Sequence, residues 1–202
     1  EDVRLFVEAM EELGIAHPIS HDSYLINLGS PDKALWKKSV DALVIEIERA
    51  SRLKIPYVVA HPGAFTSSSE AAGIKQIARG INEVHKQTKK LSAQILLETT
   101  AGQGSNLGWK FEQLGAILEK VKNPDIVGIC FDTCHVHAAG YPMGTEKEYR
   151  ATMRKLNSAV GVKKVKAFHL NDSKNPLGSR VDRHEAIGKG HLGLEPFRHL
   201  LN

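Results

Sequence analysis

Ile126-Val127-Gly128-Ile129-Cys130-Phe131-Asp132-Thr133-Cys134-His135 decides the fold. Its first six residues are a short apolar run, which reads as a buried strand. The run closes on a carboxylate, and an imidazole follows three residues later. The same arrangement recurs along the chain. Apolar runs at 15–20, 56–60, 94–97 and 165–168 are each followed at once by a polar residue with metal-binding chemistry: His21, His61, Glu98 and His169. Amphipathic stretches predict helices over 32–53, 69–90, 110–121 and 146–160. Each strand therefore feeds a helix and then another strand, which implies a parallel sheet. From His21 through His61, Glu98 and Asp132 to His169 the gaps are 40, 37, 34 and 37 residues, one βα unit each.

In a βα barrel the C-terminal ends of all strands face one mouth, where active sites form. The five strand-end residues then converge despite their separation in sequence. Two local pairs add to them: Asp132 with His135, and Asp182 with His184. The set of His21, His61, Glu98, Asp132, His135, His169, Asp182 and His184 mixes carboxylate oxygen with imidazole nitrogen. That mixture suits zinc or manganese better than magnesium or calcium. One zinc takes about four ligands, so eight candidates point to a cluster. His17, His85, His137, His191 and His199 read as structural or exposed. Cys130 lies inside an apolar strand and reads as core, and Cys134 as a residue supporting its neighbours.

The fold expected is α/β. Residues 2–13 read as a helix without a preceding strand, and 195–201 as a helix without a following one. Five strands are visible, whereas an eight-stranded barrel typically needs ~250 residues. Residues 1–202 are accordingly expected to form a single partial TIM-barrel domain, a (β/α)8 barrel lacking its first two strands and its last. A five-stranded flavodoxin-like sheet is the alternative. The opening Glu1-Asp2-Val3-Arg4 reads as the inside of a helix, so the chain is expected to begin within a longer protein.

The 202 residues are 42% hydrophobic and 25% charged, ordinary for a globular domain. No run approaches the ~20 apolar residues of a membrane span. The net charge of +4 mildly favours a polyanionic partner. Two cysteines offer no disulfide framework and suit a reducing cytoplasm. Two mouth loops carry further chemistry. The loop at 101–108 is rich in glycine and small polar groups, which lets backbone N–H groups approach phosphate; it is not a Walker loop. The loop at 174–183 brings Lys174, Arg180 and Arg183 toward an anionic substrate. A plain surface turn and a solvated charged face are the simpler readings of these loops.

At this point the residues resemble a known family. His21 to Leu28, His61-Pro62-Gly63, Leu97 to Gly104, Asp132 to His135, His169-Leu170-Asn171-Asp172 and Gly178 to His184 look like the endonuclease IV family, in order and over nearly the whole chain. The resemblance implies a (β/α)8 barrel with three zinc ions, manganese being possible at one site. It implies that His21, His61 and Glu98 hold the first metal. Glu98 bridges to a second, also bound by Asp132 and His169, and His135, Asp182 and His184 hold the third. Glu98 is thereby the catalytic carboxylate. Tyr24 and Leu25 enter the DNA at the lesion, and Gln103, Gly104, Ser105, Asn106, Lys174, Ser179, Arg180 and Arg183 contact it. The implied reaction is hydrolysis of the phosphodiester 5′ to an abasic site in duplex DNA, leaving a 3′-hydroxyl and a 5′-deoxyribose phosphate, with removal of blocked 3′ ends by the same chemistry. A monomer acting on the bacterial nucleoid in the cytoplasm is expected. The family's second metal takes a further carboxylate from a last strand that is not in this sequence. A sugar isomerase or epimerase on a related barrel, and an inactive DNA-binding fragment, are the rival readings.

Overall fold

A computed structural model describes residues 1–202. Strands β1 (Ile19–His21), β2 (Tyr57–Ala60), β3 (Gln94–Glu98), β4 (Val127–Asp132) and β5 (Val165–His169) form one parallel sheet in the order β1-β2-β3-β4-β5. A flavodoxin-like sheet reverses its order near the first strand. Strictly sequential order with parallel pairing is that of a barrel wall, here five consecutive strands of a TIM barrel.

Helices α1 (Asp2–Glu12), α2 (Lys33–Arg52), α3 (Glu70–Thr88), α4 (Phe111–Leu118), α5 (Thr133–Ala138), α6 (Glu146–Val160) and α7 (Glu195–Leu201) complete the chain with a small antiparallel hairpin, β6 (Asp172–Ser173) and β7 (His184–Glu185). The long helices begin where capping residues stand. The Asp32 carboxylate accepts from Leu35 N at 2.8 Å, the Ser69 hydroxyl from Ala72 N at 3.2 Å, and Thr145 with Glu148 closes a capping box. Along α2 the buried stripe is Trp36, Val40, Leu43, Val44 and Ile47, the i, i+4, i+7 spacing of one helix face. It packs on the sheet in a cluster of 25 buried apolar residues that includes Ile77 and Ile81 of α3 and Leu114 and Ile117 of α4.

The other face of the sheet is the barrel interior. Val59, Leu96 and Cys130 pack together there, flanked by Tyr57 and Ala167. Strand side chains alternate with a period of two. Two residues beyond Val59, Leu96, Cys130 and Ala167 stand His61, Glu98, Asp132 and His169. The layer of side chains that fills the interior is thus followed, at the mouth, by the layer that carries the chemistry. The first strand is shorter and later than the 15–20 expected. Residues 15–18 make no sheet pairing, and β1 pairs with β2 only from Ile19 on. Helix α5 and the β6–β7 hairpin are elements that periodicity did not announce. Asp182 stays in a loop as read, while His184 opens β7.

Candidate metal centre

Glu98 ends β3 and is 1% exposed. Its two oxygens face different partners. Oε2 lies 2.9 Å from His21 Nε2 and 3.0 Å from His61 Nε2. Oε1 lies 2.7 Å from His169 Nδ1 and 3.6 Å from His135 Nδ1. A carboxylate so placed has one oxygen for each of two donor sets. Burial pushes the Glu98 carboxyl up, but His169, His21 and His61 together overcome this and hold it far below the usual carboxylate range.

A second group lies beside it. His135 Nε2 is 3.0 Å from Asp182 Oδ2, His184 Nε2 is 3.3 Å from Asp182 Oδ1, and the two imidazole nitrogens are 3.4 Å apart. Asp132, fully buried at the end of β4, stands between the groups. Its Oδ1 caps α5 by accepting from His135 N at 2.8 Å, and its Oδ2 accepts from Asn171 Nδ2 at 2.7 Å and faces His184 Nε2 at 3.8 Å. All eight residues expected from the sequence are therefore brought to one mouth.

The donor set fits metal ions. Two nitrogens bound to one tetrahedral zinc at ~2.0–2.1 Å lie about 3.4 Å apart, the separation of His135 and His184. His21 Nδ1 sits 3.0 Å from the Asp22 carbonyl, and His135 Nδ1 sits 2.8 Å from the Thr99 carbonyl. A ring N–H donated to a carbonyl leaves the Nε2 lone pair turned inward, the orientation of a metal-binding imidazole. Sets such as His21–His61–Glu98 and His135–Asp182–His184 bring one donor atom from each residue within 4.8 Å of one another. The carboxylates raise the imidazole pKa values: His21 to about 10 through Asp22 and Glu98, and His135 to about 9, where Asp182, Asp132 and Glu98 outweigh burial. In turn His135 holds Asp182 below its usual range, while burial pushes Asp132 up.

Three supporting residues were not singled out in the sequence. Asp22, 9% exposed, lies 3.4 Å from His21 Nδ1 through Oδ1. Thr99 accepts from Asp132 N through its hydroxyl at 2.9 Å. Asn171 holds Asp132 as described. Their sequence signals are adjacency to a strand end and a place inside the motifs that carry the family resemblance. Cys130 fills the interior layer as expected. Cys134 is buried, with Sγ 3.6 Å from the Arg183 carbonyl, and burial pushes its thiol up to about 11. Of the remaining histidines, His137 is buried, His85 and His199 are half-buried, and His17 and His191 are exposed.

The mouth loops have definite shapes. Tyr24 is 89% exposed and Leu25 69%, while Ile26 and Leu28 beside them are buried. Gly102, Gly104 and Gly108 hold φ of +82°, +54° and +97°, and the loop they shape keeps Gln103 and Gly104 exposed and Ser105 and Asn106 half-buried. The loop at 174–183 hangs from the carboxyl end of α5: Gly178 N donates to the His137 carbonyl at 3.1 Å and Arg180 N to that of Ala138 at 2.9 Å. Lys174 and Arg183 are exposed and Ser179 is half-buried. The Arg180 guanidinium lies over the Trp109 ring at 4.1 Å and donates to the Gly102 carbonyl at 3.0 Å, and Asp182 N donates to Gln103 Oε1 at 3.1 Å. The two loops are thereby latched together.

Comparison with known proteins accords with this geometry. A family model described as a xylose isomerase-like TIM barrel matches residues 1–202. A "Probable endonuclease 4" of Citrifermentans bemidjiense is 45% identical over 201 residues, covering all of this chain and 71% of that protein. One from Chloroflexus aggregans is 47% identical over 202 residues, with the same two coverages. Among solved structures, endonuclease IV from Thermus thermophilus superposes with a TM-score of 0.85 at 34% identity, over 99% of this chain and 70% of that one. A D-tagatose 3-epimerase-like protein superposes at 0.79 with 22% identity, over 98% of this chain and 70% of that one, a likeness of fold alone.

Proposed function

Because this chain belongs to the endonuclease IV family, we propose that it acts in DNA repair as a zinc-dependent endonuclease that hydrolyses the phosphodiester 5′ to abasic sites. The observation that carries this reading is Glu98, buried, with each oxygen turned to a different set of imidazoles. His21, His61 and Glu98 would hold one ion, Glu98, Asp132 and His169 a second, and His135, Asp182 and His184 a third. Zinc in such a site supplies Lewis acidity, which makes hydroxide accessible near pH 7 and neutralises charge on a phosphoryl group. Manganese suits the same nitrogen and oxygen donors at one site.

The chain's own residues do the rest. Asp22 and the Thr99 carbonyl fix the rings of His21 and His135, so that neither turns away when the substrate's charge arrives. Tyr24 and Leu25 project from the mouth and can fill the gap left when the lesion nucleotide leaves the stack; a missing base lowers that cost by a few kcal/mol. Lys174 and Arg183 offer positive charge to the DNA backbone, and Gln103, Gly104, Ser105, Asn106 and Ser179 offer polar contacts. Arg180 contributes by holding the two loops in register while its charge faces the same backbone. Removal of blocked 3′ ends uses the same centre, and the work belongs in the cytoplasm. An epimerase reading shares the barrel, but it gives no use to the third donor group or to an exposed Tyr24-Leu25 pair.

The test is end analysis of the cut strand. A duplex with one abasic site should yield a 3′-hydroxyl that a polymerase extends directly and a 5′-deoxyribose phosphate, while an intact duplex stays whole. A 3′-unsaturated aldehyde end, or no cut with the metal supplied, would count against the reading.

A further inference from the structure

A broad basic groove lies away from the mouth. It has a volume of about 1410 Å³ and runs along the outer side of α3, beside the segment that follows α4. Six cations line it: Lys75, Arg79, Lys86, Lys89, Lys120 and Lys122; Glu83 is its one acid. With the histidine neutral the lining carries +5, against +4 for the whole chain, so the other residues together carry −1. The basic excess of the protein therefore resides in this groove.

Local structure explains only part of this. Lys86 sits in the last turn of α3 and Lys89 caps it, while Lys120 and Lys122 follow α4; cations near helix carboxyl ends are favourable there. Lys75 and Arg79 lie in the first half of α3 and gain nothing from the helix dipole. Helices α1, α2 and α6 each pair a cation with an acid at i, i+4: Arg4–Glu8, Lys37–Asp41 and Arg150–Glu146. In the groove the one ion pair is Lys86–Glu83, at 4.0 Å. The walls are also fixed. Arg79 stacks on Trp36 at 4.4 Å, and Asn82 ties α3 to the opposite wall by accepting from Lys122 N at 2.8 Å.

We infer that this groove is a second, lesion-independent binding surface for duplex DNA, gripping the phosphate backbone on the flank of the barrel. Positions 75, 79, 82 and 86 follow i, i+4, i+7 spacing along one face of α3, and the cap Lys89 continues the row. That stripe is about 21 Å long at ~1.5 Å per residue. One DNA strand presents a phosphate every ~3.4 Å of duplex axis but winds away from a straight line, so the four cations of the stripe face a short run of consecutive phosphates. An extended polyanion matches such a row, and a single small anion does not. The inference goes beyond the reaction at the mouth and does not rest on it, because its test uses DNA without a lesion.

The test is binding of the full chain to an intact 40-base-pair duplex across a salt series, followed by fluorescence anisotropy. Each phosphate contact contributes about 0.9 to the slope of log affinity against log salt. Lys75→Glu/Lys86→Glu/Lys122→Glu should lower that slope by about 2–3 and weaken binding at least tenfold. A control with the same net charge, Lys147→Glu/Arg154→Glu/Lys163→Glu, should change affinity less than threefold. Circular dichroism keeps the comparison to folded variants; should the triple variant unfold, the single substitutions should each lower the slope by about 0.9. An unchanged slope, or an equal loss in the control, overturns the proposal. So does retained duplex binding with lost binding of polyglutamate, which assigns the groove to an acidic protein.

Discussion

Glu98 is the residue on which two donor sets turn. Glu98→Gln keeps its size and one oxygen but removes the charge and the second anionic oxygen. Disturbing the partners of metal ligands alone costs 10–100-fold, so this change should lower incision by at least ~100-fold. DNA binding should survive, because the Glu98 carboxylate bonds the histidines of the centre and none of Tyr24, Lys174, Arg180 and Arg183. Gel-shift and single-turnover assays on one preparation separate the two, and near-normal turnover would show that the reaction centre lies elsewhere. Tyr24 and Leu25 make a complementary case. Their exposure predicts that Tyr24→Ala/Leu25→Ala leaves thermal stability within about 1 kcal/mol while selectively weakening binding to abasic over intact duplex. A loss of ~2–5 kcal/mol, the cost of truncating a buried leucine, with the preference for abasic DNA intact would contradict the wedge role.

The imidazoles set a pH dependence. His21 and His135 are raised to about 10 and about 9 in the metal-free fold, so both are protonated at pH 7. Zinc requires the neutral ring and must displace those protons. Zinc affinity should therefore rise with pH up to about 9–10, with proton uptake by buffer during titration at pH 7. Calorimetry in two buffers of different ionisation enthalpy reads this directly, and identical heats in both would refute it. For the metal-free protein the sign is opposite. A raised histidine contributes stability that is fully present below ~6.5 and is lost as pH rises through the folded values.

At the scale of elements, the β6–β7 hairpin and the turn after it depend on Asp172. This carboxylate is fully buried and accepts four backbone N–H groups: Ser173 at 2.7 Å, Leu192 at 2.8 Å, and Gly188 and Gly190 at 3.0 Å each. Asp172→Ala leaves those donors buried without partners, at ~1–3 kcal/mol for each that water cannot reach. It should cost at least ~3 kcal/mol in denaturant unfolding, and it should loosen the third donor group, since β7 begins with His184. A loss below ~1 kcal/mol would mean that water replaces the carboxylate.

The same hairpin marks the limit of sequence reading. Helices α2, α3 and α6 were legible because Asp32, Ser69 and Thr145 cap long amphipathic patterns. The strand-end donors were legible because a strand has a period of two and a barrel has one mouth. Two-residue strands and the six-residue α5 have no period to detect; tertiary pairing fixes them. Asp22, Thr99 and Asn171 escaped for a related reason. The latter two bond a site residue 33–39 positions away, and Asp22 acts partly through its backbone carbonyl. The latch from Arg180 to Trp109 and Gly102 is equally non-local.

At the scale of the whole molecule, the sequential parallel sheet turns separations of 37, 71 and 77 residues into contacts of about 3 Å with Glu98. The layer Val59–Leu96–Cys130 beneath keeps the floor of the site apolar. No helix is long and apolar enough to cross a membrane. The chain covers 71% of the length of its endonuclease 4 relatives. The proposed nuclease activity on abasic DNA depends on metal held by the eight strand-end and loop donors. Its most direct test is incision of a single-abasic-site duplex while zinc is stripped by prolonged chelation and then restored, with bound metal counted in parallel. Incision should vanish as zinc leaves, return as it is added back, and track an occupancy approaching three ions per chain. Full incision by protein that metal analysis shows to be empty would contradict it.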